Sequence, residues 1–243
     1  MGLSTKDRLI VALDYDTMAE VERLLDRLQG QVSFYKVGLQ LFSRNGPRVI
    51  QYLVDQGAKV FADLKLHDIP NTVAKATRAL TALGVNIIDV HVSGGTEMMR
   101  AAAKAATEAA EEYGVVKPAV IGVTVLTSLD RNSLAELGWP GEDITQLAVR
   151  WARMAQEAGL DGVVASPLEA KAIREACGED FIIVTPGIRP RAVGTHDQKR
   201  VTTPREAIAL GASHLVVGRA ITEAENPQAM VASILQEMEG VSC

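Results

Sequence analysis

Short apolar runs alternate along the chain with longer segments in which apolar residues recur every three to four positions. The short runs predict buried strands, and the longer pattern predicts helices that pack along one face. Strands are predicted at 8–13, 33–37, 59–64, 86–92, 118–125, 161–165, 181–185 and 213–217. Helices are predicted at 17–29, 44–56, 71–83, 96–113, 143–158, 168–177, 203–210 and 227–239.

This alternation predicts an α/β fold in one domain that spans residues 1–243. Each strand–helix unit takes about 30 residues, the size of one βαβ step. The strands are continuous apolar runs, as in parallel sheets buried on both faces, and no shift in composition indicates a linker. Eight such units favour a closed (β/α)₈ TIM barrel, and a doubly wound sheet is the alternative.

Composition excludes several classes of protein. With 25 Lys and Arg against 30 Asp and Glu, and only 4% aromatic residues, the chain lacks the basic, aromatic surface typical of nucleic-acid binding. Its two cysteines form no disulfide or metal-binding framework. The amino terminus lacks a secretory apolar segment, and no apolar run approaches about 18 residues. We therefore expect a cytoplasmic protein that does not bind membranes.

Charged residues interrupt or end the first three predicted strands. Asp14 follows the first, Lys36 lies within the second, and Asp63 and Lys65 close the third. The strand period of two places Asp63 and Lys65 on one face. Lys and Asp are rarely buried unless they are paired. If the barrel closes, these side chains meet at its mouth, where the active sites of such barrels lie.

Each of these residues also has an ordinary structural explanation. Asp14 and Asp68 could cap the helices that follow them. Lys36 could extend its ammonium group to solvent. His67 and His91 could be hydrogen-bonded polar residues with no part in catalysis. The carboxylates and ammonium groups together could form a purely structural ion-pair network.

A second group of residues suits a phosphate. Gly218 and Arg219 end the eighth predicted strand and begin a helical segment, where free N–H groups and a guanidinium can bind an anion. The long polar loop after the seventh strand contains Arg189 and Gln198, which could close over the same anion. The alternative is a solvated loop without a ligand.

The chain resembles the bacterial orotidine 5′-phosphate decarboxylases along essentially its whole length. The most specific motif is Asp-Leu-Lys-Leu-His-Asp-Ile-Pro-Asn-Thr at 63–72. It is supported by Leu-Thr-Ser at 126–128, Pro-Gly-Ile-Arg-Pro at 186–190 and Gly-Arg-Ala-Ile-Thr at 218–222. Ala220 stands where the family often has proline, a change that costs only some preorganisation of the helix start.

The resemblance implies a homodimer that decarboxylates orotidine 5′-phosphate to UMP, the last step of de novo pyrimidine synthesis, without metal or organic cofactor. It implies that Lys65 protonates C6 of the pyrimidine and that Asp63 lies beside the departing carboxylate. Lys36 and Asp68 complete the catalytic array, with Asp68 reaching into the neighbouring subunit's site.

The resemblance also implies which residues contact the substrate. Asp14 and Lys36 hold the ribose, together with Thr72 of the neighbouring subunit, and Thr127 contacts the pyrimidine. The implied substrate-binding set is Asp14, Lys36, Asp63, Lys65, Asp68, Ile69, Thr72, Thr127, Arg189, Gln198, Gly218 and Arg219. Two alternatives are a Mg²⁺-dependent 3-keto-hexulose-phosphate decarboxylase or synthase on the same scaffold, and a phosphate-ligand sensor without catalysis.

Overall fold

Eight parallel strands close into a barrel in the computed structural model, which describes residues 4–28, 30–190 and 202–239. The strands are β1 (Leu9–Ala12), β2 (Phe34–Gly38), β3 (Lys59–Leu66), β4 (Ile87–His91), β5 (Ala119–Val123), β6 (Gly162–Val164), β7 (Ile182–Thr185) and β8 (His214–Val217). Neighbours in sequence pair in parallel, and β1 pairs with β8 to close the ring. The predicted TIM barrel is confirmed, and the doubly wound alternative is wrong.

Helices follow the strands and form the outer layer. They are α1 (Met18–Leu28), α2 (Leu39–Asn45), α3 (Arg48–Asp55), α4 (Pro70–Ala82), α5 (Thr96–Tyr113), α6 (Arg131–Glu136), α7 (Ile144–Glu157), α8 (Pro167–Cys177), α9 (Pro204–Ala209), α10 (Arg219–Thr222) and α11 (Pro227–Met238). Within the described ranges, none of these helices is long and apolar enough to cross a membrane.

Three elements differ from the sequence prediction. The helix predicted at 44–56 begins only at Arg48 as α3, and an additional helix, α2, precedes it; Gly46 ends α2 with a positive φ of 62° before Pro47. The loop after β5 contains the short helix α6, which Asp130 caps by accepting a hydrogen bond from the backbone N–H of Ser133. Strand β3 continues to Leu66, two residues beyond the predicted end.

The barrel interior is an apolar column that places the charged residues. Its buried members are Ile10, Ala12, Phe34, Phe61, Ile87, Ile121, Val184 and Val216. Alternate residues of a strand share a face, so Lys36, Asp63 and Asp89 stand one step above Phe34, Phe61 and Ile87 on three adjacent strands. The apolar column thus carries a layer of charge at its carboxyl end.

Candidate active site

Lys36 lies at the centre of an ion-pair chain at the barrel mouth. Its Nζ is 3.0 Å from Asp63 Oδ2 and 3.4 Å from Asp14 Oδ1, and only 9% of the residue is exposed. Burial alone would lower the pKa of Lys36, but the Asp63 and Asp14 carboxylates outweigh it and raise this pKa. The expectation that Lys36 extends into solvent is therefore wrong.

Asp14 contributes to this chain and does not cap α1. The start of that helix is capped by Thr17 and Glu20, because the Glu20 carboxylate accepts hydrogen bonds from the Thr17 backbone N–H at 3.0 Å and from its hydroxyl at 2.6 Å. The Asp14 carboxylate faces Lys36 instead and remains half-exposed. It is thus open to a ligand at the mouth.

Lys65 follows Asp63 in a distorted part of β3. Along the β3–β4 pairing, Ala62 lies opposite Ile88 but Leu66 lies opposite Val90, so four steps on one strand match two on the other. Among the described residues, Lys65 is the one non-glycine residue with a positive φ, at 49°. Such a conformation costs about 1–3 kcal/mol and is found mostly at functional sites. The distortion brings the Lys65 ammonium against the Asp63 carboxylate.

A second buried carboxyl, Asp89 on β4, lies beside this pair. Its Oδ1 accepts the backbone N–H of Lys65 at 2.8 Å, and its Oδ2 is 3.9 Å from Lys65 Nζ. The pKa values of these two carboxyl groups shift in opposite directions. Although burial works against it, the lysines and a hydrogen bond with Asp89 lower the pKa of Asp63, whereas burial and the Asp63 charge raise the pKa of Asp89 well above its usual value.

Sequence reasoning missed Asp89. The signal was present, because Asp89 interrupts an apolar strand between Ile88 and Val90 just as Lys36 interrupts β2. Its place two residues after Ile87 puts it on the interior face, next to Asp63.

An apolar cavity of about 630 Å³ opens directly above the charged layer. Lys36, Asp63 and Lys65 form its polar side, and Thr127 lies at its edge. The rest of the lining comes from Phe61, Val123, Val125, Leu126, Val164, Ala165, Pro186 and Val216. In such surroundings a charge on the ligand interacts strongly with the lysines, because little water screens it.

A polar cavity of about 710 Å³ adjoins the apolar one. It is lined by Arg189, Gly218 and Arg219, together with Asp14. The two cavities share Lys36, Asp63, Pro186 and Val216, so they form one continuous mouth. Three of the four residues expected around the phosphate thus lie together, and Gln198 lies outside the described residues.

Asp68, Ile69 and Thr72 lie apart from this cluster on the exposed surface. Asp68 does not cap α4: its carboxylate accepts only the N–H of Ile69 at 2.6 Å, and Ile69 occupies the cap position without a side-chain bond. Within the described chain Asp68 forms no ion pair. Ile69 is 65% exposed, which is unusual for a large apolar residue.

His67 and His91 contact each other near Lys65, with ring centroids 5.3 Å apart. Burial, and then the neighbouring His67 and Lys65, lower the pKa of His91. In the ranges 4–28, 30–190 and 202–239, no group of three or more His, Cys, Asp or Glu side chains is placed to hold a metal ion. What the arrangement offers a ligand is an ammonium facing an apolar pocket and an arginine-lined pocket for an anion.

Known proteins have the same fold and a similar sequence. The family model "Orotidine 5′-phosphate decarboxylase / HUMPS family" matches residues 7–234. Orotidine 5′-phosphate decarboxylase of Moorella thermoacetica is 52% identical over 98% of this chain and 95% of its own, and that of Syntrophotalea carbinolica is 48% identical over 98% and 97%. The crystal structure of orotidine 5′-phosphate decarboxylase from Lactobacillus acidophilus superposes with a TM-score of 0.83 at 38% identity, covering 96% of this chain and 99% of that one. The resemblance found in the sequence is confirmed: the chain belongs to the orotidine 5′-phosphate decarboxylase / HUMPS family.

Proposed function

We propose that this protein is a carboxy-lyase that converts orotidine 5′-phosphate to UMP and CO₂, the last step of de novo pyrimidine synthesis, without a cofactor. One observation carries the proposal: the Lys65 ammonium, paired with Asp63, faces an apolar pocket that continues into an arginine-lined one. The relatives named above carry this activity in their names and match nearly the whole chain. A cytoplasmic location is part of the same proposal and rests on the cysteine usage.

In this proposal the substrate spans both cavities. The pyrimidine enters the apolar pocket beside Thr127, and the ribose hydroxyls meet Asp14 and Lys36. The phosphate binds to Arg189, Arg219 and the N–H groups that follow Gly218, with Gln198 as a further donor. Planar guanidinium groups and the start of a helical turn are suited to such a dianion.

The reaction breaks the bond between C6 of the ring and its carboxylate. Carbon dioxide leaves, the bonding electron pair remains on C6, and the Lys65 ammonium donates a proton to that carbon; Lys65 then regains a proton from solvent. Fixed cations in a dry pocket stabilise the charge that develops at C6. Asp63 holds Lys65 in place and repels the carboxylate of the bound substrate. This repulsion is absent in the product, because the carboxylate has left as CO₂.

Phosphate binding contributes to the rate although it is remote from C6. Barrier reductions by enzymes run from about 8 to 23 kcal/mol, and one lysine does not supply the upper end. Binding energy from the phosphate can hold the ring against Lys65 and exclude water from the apolar pocket.

The functional unit in this proposal is a homodimer. Asp68, Ile69 and Thr72 are exposed, and the large exposed area of Ile69 suits a subunit interface. Asp68 has no capping role that would explain its position. We propose that Asp68 and Thr72 reach the neighbouring subunit's site.

The reaction is tested by adding purified protein to orotidine 5′-phosphate with EDTA present and following the loss of the orotate absorbance. Rapid loss with UMP as the product supports the proposal. No loss, together with turnover of a keto-sugar phosphate that Mg²⁺ restores, would assign the protein to the Mg²⁺-dependent activity instead. Binding of UMP without any turnover would indicate a sensor.

Shared sites are tested by mixing two inactive variants, Lys65→Ala and Asp68→Ala. A mixed dimer contains one site with both wild-type residues, so random exchange of subunits should restore about a quarter of wild-type activity. Sedimentation of the mixture reports the dimer separately. Dimers without restored activity would show that each site is built by one chain.

A further inference from the structure

We infer that Asp89 is a positioning residue for Lys65: its neutral carboxyl accepts the Lys65 backbone N–H with one oxygen and donates a hydrogen bond to Asp63 with the other. The inference rests on the proposed function, because it concerns how the proton donor of that reaction is held. It adds a residue on a fourth strand to the charged layer formed by Asp14, Lys36, Asp63 and Lys65.

One oxygen of Asp89 contacts the backbone of Lys65. The N–H of Lys65 donates to Asp89 Oδ1 at 2.8 Å, at the residue whose φ of 49° is unfavourable for a side chain of this size. Regular pairing between β3 and β4 slips at this position. A strained conformation persists only where its surroundings fix it. The Asp89 contact supplies such a restraint, from a side chain that is itself fully buried.

The other carboxyl oxygen of Asp89 has a different environment. Asp89 Oδ2 is buried and accepts no hydrogen bond within the described part of the chain. An ionised carboxylate in that position would be a poorly solvated charge next to the Asp63 carboxylate, which is unfavourable. A protonated carboxyl avoids this cost, because its O–H can donate to Asp63.

The charged groups around Asp89 agree with a neutral carboxyl. Strand β3 presents Asp63 and Lys65 to it, and Lys36 lies behind Asp63. On its other side β5 carries no titratable residue, and His91 follows on its own strand. Burial and the Asp63 charge raise the pKa of Asp89, and Lys65 lowers it by less. With Asp89 Oδ2 buried beside the Asp63 carboxylate, we assign one proton to the pair and place it on Asp89.

The proton on Asp89 affects the position of the Lys65 ammonium. An anionic Asp89, whose Oδ2 is only 3.9 Å from Lys65 Nζ, would compete for the ammonium and draw it toward the barrel interior. A neutral Asp89 leaves Asp63 as the partner of the ammonium, which then faces the apolar pocket. Asp89 thus acts through Lys65 and Asp63 and touches no substrate.

Two variants test the role of the neutral carboxyl. Asp89→Asn keeps an acceptor for the Lys65 N–H and a donor for Asp63, so kcat should stay within about threefold of wild type. Asp89→Ala removes both contacts and should lower kcat about 100-fold, with KM and the affinity for UMP little changed, because the misplaced group is the proton donor. If Asp89→Asn loses as much as Asp89→Ala, the residue acts as a charge and the inference is wrong.

Infrared spectroscopy gives a readout that needs no turnover. The wild-type minus Asp89→Asn difference spectrum at pH 7 should contain the C=O band of a protonated carboxyl. A carboxylate band instead would overturn the inference even if Asp89→Ala fails to fold. Wild-type protein that shows the protonated band but does not consume orotidine 5′-phosphate would contradict the proposed function and leave the proton assignment standing.

Discussion

The two ends of the barrel both carry buried or half-buried charges, but they use them differently. At the amino end, the Arg8 guanidinium donates to the backbone carbonyls of Ala212 at 2.7 Å and Ser213 at 3.0 Å. Lys59 forms an ion pair with Asp7 at 2.7 Å. Arg8 thus joins the segment before β1 to the segment before β8, and Lys59 joins the first residue of β3 to the segment before β1.

At the carboxyl end, the charges face one another and a cavity. Lys36 forms ion pairs with two carboxylates, and Asp63 forms ion pairs with two lysines. One oxygen of Asp89 is buried and accepts no hydrogen bond within the described chain. Lys65 is in addition strained. The charges at the amino end are satisfied by backbone carbonyls or by one carboxylate and hold segments together, whereas those at the carboxyl end face a cavity and are arranged for chemistry. We expect variants at the carboxyl end to change activity and variants at the amino end to change stability.

The largest effect is expected for Lys65→Ala. Removing the proton donor and the central cation should reduce kcat by about 10⁴-fold or more, while UMP still binds through the phosphate and ribose contacts. Single-turnover decay of orotidine 5′-phosphate measures the first quantity, and titration with UMP the second. Lys171→Ala, an exposed lysine on α8, is the matched control and should retain full activity. Substantial turnover by Lys65→Ala would remove Lys65 as the donor.

Arg219→Ala tests the remote end of the same mouth. Loss of a phosphate contact should lower kcat/KM by roughly 100-fold or more, because binding energy at the phosphate lowers the barrier at C6. Steady-state kinetics measure this, with Arg153→Ala, an exposed arginine on α7, as the control. A kcat/KM within about threefold of wild type would show that the phosphate is bound elsewhere.

The sequence predicts the carboxyl end better than the amino end, for a physical reason. Lys36, Asp63 and Lys65 are recognisable because charges within apolar strands are rare and need partners. Asp89 obeys the same rule, but the distortion of β3 that joins it to Lys65 depends on pairing between strands and leaves no local pattern. The hydrogen bond from the Lys65 backbone N–H to the Asp89 carboxyl likewise forms only in the closed barrel.

At the amino end the sequence carries little signal. Arg174 lies on a helix, and nothing in the sequence around it predicts that it bonds to the loops that precede β7 and β8. The boundary between α2 and α3 at Gly46 and Pro47 was in principle readable, because glycine followed by proline commonly ends a helix.

Arg174→Ala should separate stability from activity at the amino end. This guanidinium donates to the carbonyls of Gly178 at 2.6 Å, Phe181 at 2.7 Å and Gly211 at 2.9 Å, and it joins two loops. Its loss should cost about 3 kcal/mol and lower Tm by roughly 5–10 °C, because several carbonyls lose their donor. Calorimetry measures Tm, and kcat at a temperature well below it should be unchanged. A reduced kcat with unchanged Tm would contradict the division between the two ends.

His214 gives the amino end a dependence on pH that vanishes near neutral pH. The side chain is 6% exposed at the start of β8, its Nδ1 has no partner within the described residues, and its ring packs edge-on against Phe34. Burial, and then Arg8 and Lys59, lower the pKa of His214 to about 4. Between pH 6.5 and about 4, His214 therefore binds a proton in the unfolded chain but remains neutral in the folded protein.

This linkage fixes the sign of the pH effect. Because the pKa is lower in the folded state, the contribution of His214 to stability is fully present above pH 6.5 and is lost as pH falls toward 4, by roughly 3 kcal/mol in all. His214→Leu does not titrate, so subtracting its free energy of unfolding from that of the wild type at each pH removes the other titrating groups. The difference, from urea unfolding between pH 7 and 4, should fall steadily as the solution becomes more acidic. A difference that stays constant over this range would show that the imidazole is protonated equally in both states, and the amino end would then owe none of its acid sensitivity to this residue.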